Sequence, residues 1–196
     1  MGFVNYVAKI SSVFHNQNID FNLCDNSKEC QKIVKCVSID NFVNNWYKDV
    51  TESNSRKNSS LRLYKTFKNE FAMEPYLLNV INDNHRFALS KFRCSSHQLE
   101  IQRARHQNVI PPIWDRVCPH CPYAVDDELH LLLFCKINAN LRSEFIKDIS
   151  FLVPNLSAMH HIDKFISIMN STNIKVQRHL AKFIYNSFKL LSLIHI

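Results

Sequence analysis

Apolar residues recur at three-to-four spacing along most of this chain, and that period predicts helices. Phe42, Val43, Trp46, Tyr47 and Val50 share one face of a helix beginning near Ser38. Leu63, Tyr64, Phe67 and Phe71 form a second stripe, and Glu74-Pro75 can open a further turn, since proline is tolerated at the first helical position. The stretch 85–106 is helical in content, with a break at the serines where Ser95 and Gln98 fit a capping box. Three more stripes follow Cys135: Leu141, Phe145, Ile146, Ile149 and Leu152; then Ile162, Phe165, Ile166 and Met169; then Val176, Leu180, Phe183, Ile184, Ser187 and Phe188. Core packing is the expectation for every stripe.

The pattern fails elsewhere. Residues 3–15 fit a short helix or a strand equally. Residues 16–37 are polar and turn-like, and "TESNSRKNSS" (51–60) reads as a loop without an apolar residue. Pro111-Pro112 is the sharpest boundary, because it stops the preceding helix and sets up an extended approach to the segment after it. This divides the chain into an undecided segment 1–37, a helical region 38–110, a cysteine segment 111–136 and C-terminal helices 137–190. The last six residues, "LSLIHI", fit a translation of a transposon-end sequencing adapter as well as a continued apolar helix, and stand outside any site argument.

Composition narrows the picture. One glycine in 196 residues leaves no phosphate-binding loop and few tight strand turns, so a mainly α fold follows, with Asn available for left-handed positions. Hydrophobic residues at 46% supply a core for one domain or two small ones. Seven cysteines cannot all pair internally, and no secretory leader is evident, so a reducing, intracellular setting (nucleus or cytoplasm) is expected. No apolar run is long enough for a membrane span. Oligomeric state has no signature in the sequence.

The densest chemistry is "CPHCPYAVDDELHLLLFC", from Cys118 to Cys135. Cys118 and Cys121 form a CxxC knuckle whose thiolates can face one centre. His130 would project from a helix capped by Asp126 or Asp127, and that helix must end or bend before Cys135 for both to reach one ion. Three sulfurs and one imidazole are a common structural zinc set, and zinc favours these soft ligands in a tetrahedron. Metal binding would also supply folding free energy to a segment too small for its own core. With zinc, the set retains one net negative charge, which Arg116 and Lys136 are placed to balance. Two alternatives stay open: His120 in place of His130, or three buried thiols without metal. A deaminase is disfavoured, since CxxC comes first and no HxE motif precedes it. Cys24, Cys30 and Cys36 allow a second site with His15, but independent thiols are expected, and Cys94 is expected to pack within its helix. The fold class is thus a helical domain with an embedded small zinc knuckle.

"ALSKFRCSSHQLEIQRARH", "CPHC", "DDELHLLLFC" and "LRSEF" together resemble the C-terminal region of reverse transcriptases from non-LTR (LINE-type) retrotransposons. The likeness is sharp from about 86 to 145 and loose elsewhere. In that family a basic helical segment precedes a zinc-binding module, and Cys118, Cys121, His130 and Cys135 match its metal positions. Asp127 stands where glutamate is frequent, and Cys94 near a position that is often aliphatic. The palm's paired aspartates on a strand turn are missing here, as is an endonuclease domain. The resemblance therefore implies a noncatalytic fragment with one structural Zn²⁺.

The net charge of +7 and a pI near 9.1 suit a polyanionic partner. Arg86, Lys91, Arg93, Arg103, Arg105 and Arg116 cluster before the knuckle against only Glu100 and Asp115, and could follow a phosphate backbone. Trp114, Tyr123 and His120 could stack on exposed bases. RNA, DNA or both are the expected partners. The competing expectation is a structural or protein-interaction zinc module, in which these residues form an ordinary solvated face.

Overall fold

The computed structural model describes residues 28–51, 63–68 and 70–194. The readings for 3–15, 16–27, most of the 51–60 loop, and His15 and Cys24 as metal ligands lie outside these residues. The chain divides at Asp49/Val50 into two units.

The first unit carries α1 (Lys28–Thr51) up to Asp49. It begins ten residues before the predicted start near Ser38. "KECQKIVKCV" has no amphipathic stripe, but it also lacks glycine and proline and is rich in Lys, Glu and Gln, so propensity alone sustains it. Lys48 in the last turn complements the helix dipole. Of the predicted core stripe, Phe42 is 64% exposed and Tyr47 is exposed, while Val43 and Trp46 are half-buried.

The second unit is a helical array. Its elements are α2 (Tyr64–Phe67), α3 (Tyr76–Asn79), α4 (Asp83–Arg93), α5 (Glu100–Arg103), α6 (Glu128–Leu133), α7 (Ala139–Ile149), α8 (His161–Met169) and α9 (Ile174–Ile194), with short 3₁₀ turns after α5, before the knuckle and before α7. Among the described residues there is no strand, only an isolated antiparallel bridge between Val117 and Val125. The fold is mainly α, as glycine scarcity implies.

The spine is α9, which packs on α3, α4 and α7, while α8 is covered by α2 and α6. Its predicted stripe is the buried one: Val176, Leu180, Phe183, Ile184 and Ser187 are all inside, with Ala181 beside them. Phe183 stacks on Phe145 of α7 with ring centroids 5.0 Å apart. Burying each large apolar side chain contributes roughly 1.5–3 kcal/mol, so this face is a substantial stabilising term of the unit. Residues 191–194 continue α9, and Leu191 packs on the core. The stripes of α7 and α8 are buried at Phe145, Ile149, Phe165 and Met169, whereas Phe71 and Ile162 are exposed.

Helix ends are made without glycine. Asn82 caps α4 by accepting from the His85 N–H at 3.1 Å. Among the described residues, three non-glycine positions take positive φ: Asn155, as expected of asparagine, and also Ser95 and Tyr123. Ser95, at φ 50°, breaks 85–106 where the serines predicted. The capping box does not form. Instead the Ser95 hydroxyl donates to Glu128, and α5 starts at an N-cap, Leu99, that offers no side-chain bond. Cys94 is not packed in a helix; it is the exposed C-cap of α4.

Candidate metal centre

The knuckle is built from short backbone bonds. The Cys118 N–H donates to the Ala124 carbonyl at 2.8 Å, and the Asp126 N–H to the Arg116 carbonyl at 2.8 Å. Between them the Cys121 N–H reaches the Cys118 carbonyl at 3.3 Å, and Tyr123 turns the chain with φ 68°. Two thiols thereby converge from one tight loop. Asp127 then caps α6, accepting from the His130 N–H at 2.9 Å; of the two predicted capping residues it is the one used. The helix stops after Leu133, and the N–H groups of Phe134 and Cys135 both fold back to the His130 carbonyl, at 2.9 and 2.8 Å. That closing turn brings Cys135 beside His130, as the five-residue spacing requires.

The candidate ligand atoms of Cys118, Cys121, His130 and Cys135 all lie within 4.8 Å of one another, and all four residues are buried. The Cys118 and Cys135 sulfurs are 3.9 Å apart. A tetrahedron with zinc–sulfur bonds near 2.3 Å sets sulfurs about 3.8 Å apart, so the spacing fits. His130 Nε2 is buried without a hydrogen-bond partner, an arrangement that a metal–nitrogen bond would satisfy. His130 completes the group, not His120. These residues form one structural zinc site, and with four protein ligands no coordination position stays open for water.

The electrostatics point the same way. Burial pushes the Cys118 and Cys135 thiols above their usual range and holds the His130 imidazole below its own. A neutral imidazole is ready to ligate, and thiols this reluctant to ionise need a cation to become thiolates. The Lys136 N–H points at the Cys121 sulfur at 3.2 Å, stabilising charge there. Of the cations expected to balance the site, Lys136 helps through this backbone group. Arg116 does not. Its guanidinium bonds the carbonyls of Pro111, at 3.0 and 3.1 Å, and Ile101, at 2.8 Å, pinning the segment that enters the knuckle. The cation beside the thiols is Arg142, which donates to the Cys135 carbonyl at 2.8 Å. Sequence reasoning missed that role, although Arg142 lies in the "LRSEF" stretch quoted above.

Two acids couple the knuckle to the helices. Asp126, the other predicted cap, serves α5 instead: its Oδ2 accepts from the Glu100 N–H at 2.9 Å and its carbonyl from the Ile101 N–H at 3.1 Å. Glu128, fully buried, accepts from the Ser95 hydroxyl at 2.5 Å and from His97 Nε2 at 2.9 Å. The Leu99 N–H faces His97 Nδ1 at 3.4 Å, which assigns the ring proton to Nε2.

The predicted nucleic-acid residues separate. Arg93 is 4% exposed; it bonds the Met169 carbonyl at 2.6 Å and Glu74 at 3.0 Å, and lies over the rings of Phe67 and Tyr76. Its guanidinium and that of Arg116 are engaged internally. Arg86 is half-buried, tied to the Val80 carbonyl and Asp83, and Arg105 holds Gln102. Lys91 and Arg103 are exposed, the first over the Phe87 ring and the second paired with Glu100. Trp114 and Tyr123 are exposed aromatics, and His120 is half-buried.

Comparison with family models, with curated proteins and with solved structures found no match for this chain. Among the described residues no helix is long and apolar enough to cross a membrane, and no sheet offers a polymerase-type palm.

Proposed function

We propose that this chain is a noncatalytic module in which one structural zinc ion fixes a knuckle to a helical layer and so shapes a surface for a partner protein. The observation that carries this reading is the closed, buried ligand set together with its ties through Glu128 to the α4–α5 link and through Asp126 to α5. A closed set gives the metal a folding role and leaves no position for substrate. The test is elemental analysis of the purified, reduced protein beside a Cys118→Ser/Cys121→Ser variant. One zinc per chain, lost in the variant, is expected; a folded protein without zinc sinks the reading.

A second reading has its own support. The net charge is +7, and Lys91, Arg103, Trp114 and Tyr123 are exposed on the helices and loops around the knuckle. These groups suit RNA or DNA, in keeping with the resemblance to retrotransposon reverse transcriptases, which we retain as a proposal about origin. Oligonucleotide binding that weakens steeply with salt would favour it.

A further inference from the structure

A groove of about 380 Å³ opens where the end of α6 meets α7 and α8. Leu133, Ile146 and Met159, all partly buried against the core, make an aliphatic floor. Phe134, 49% exposed, stands at the edge with the His161 ring 5.7 Å away at a steep angle. Arg142 and Lys164 line the same groove from α7 and α8. No carboxylate is among its lining residues; Glu144 and Asp163 lie on the same helices outside it. The N-terminus of α8 has no side-chain cap from His160, and Asp163 in its first turn offsets its dipole, so Arg142 and Lys164 carry the positive charge of the groove.

We propose that this groove docks an acidic, apolar peptide segment of a partner protein. A leucine- or phenylalanine-sized side chain would fill the aliphatic floor, and flanking Asp or Glu would meet Arg142 and Lys164. A nucleic acid fits less well. The floor offers branched and thioether side chains where a base needs a flat ring, and the Phe134 ring already contacts His161. The inference deepens the protein-interaction reading and rests on it, because Phe134 and Arg142 are positioned by the turn that carries Cys135.

The test uses the zinc-loaded full chain and a short labelled synthetic peptide in which a Leu-x-x-Phe pair is flanked by Asp and Glu. Competitors are the same peptide with Ser in place of Leu and Phe, and an oligouridylate of equal charge. Binding by anisotropy is expected only for the apolar peptide, with amide shifts at Phe134, Ser143 and Lys164. Lys164→Glu should weaken it roughly tenfold or more by setting like charges together. Ser143→Trp, on the opposite wall, should block it with zinc content unchanged. A zinc-loaded protein that ignores the apolar peptide, binds the serine peptide equally, or holds the oligouridylate in this groove overturns the proposal. A chain whose knuckle closes without zinc, with its Asp126 amide protected as in the loaded protein, overturns the module reading as well.

Discussion

The α9 layer and the zinc knuckle are both buried, yet by different physics. The α9 layer buries Val176, Leu180, Phe183 and Ile184 against other apolar side chains. The knuckle buries three thiols, His130, Asp126 and Glu128, with only Ala124 and Ile137 as partly buried apolar company around its cysteines. Apolar burial is non-directional and accumulates with area. Buried polar groups stabilise only when each finds its partner, and destabilise when one is removed. The helical layer should therefore lose stability in graded steps, while the knuckle should hold or fail as a unit.

Metal removal is the widest test of that contrast. Chelation, or Cys118→Ser/Cys121→Ser, should forfeit a binding free energy on the order of 10 kcal/mol. Hydrogen exchange should then show knuckle amides such as Asp126 opening while those of α9 stay protected; equal loss in both regions would erase the distinction. The dependence on pH should change sign with the metal. Without zinc, closing of the knuckle is favoured at neutral pH, where the buried Cys118 and Cys135 thiols stay protonated, and that advantage is lost as pH rises beyond the ordinary thiol range. With zinc, protons compete for the ligands and stability falls as pH drops. Urea titrations of both forms across pH check the two slopes.

Arg93→Ala should come next, costing about 3–5 kcal/mol in urea denaturation. Arg93 is the place where the helical layer behaves like the knuckle: a buried charge joins the end of α8, Glu74 and two aromatic rings. A loss near zero would return it to the surface-binding group. Asp126→Ala should cost roughly 0.5–2 kcal/mol through the lost cap on α5, read by the same titration with zinc bound. Phe42→Ser should change stability by no more than about 0.5 kcal/mol, because its side chain is exposed on α1. A large loss would restore the core role that its spacing suggested.

The legible features were local. The α9 stripe, the break at the serines, the Asp127 cap and the four ligand positions all follow from spacing, because helix period and ligand geometry act over a few residues. Ser95 shows the limit. Its place before Gln98 suggested a capping box, but the hydroxyl bonds Glu128, thirty-three residues on. Arg93 and Arg116 show it again: guanidinium charge in sequence looks the same whether it faces solvent or a backbone carbonyl. Phe42 and Tyr47 are the converse, apolar positions at core spacing whose side chains are exposed.

The sequence by itself determined a mainly helical chain, scarce in glycine, with a CxxC–His–Cys set that asks for zinc. Only the tertiary structure decided that Arg142 is the cation beside the thiols, that Asp126 caps α5 and Glu128 anchors Ser95 and His97, and which basic residues remain outside. The reason is physical. Periodicity and ligand type are properties of neighbouring residues, whereas the partner of a buried charge or hydroxyl is set by which distant segment the packed core brings within 3 Å of it.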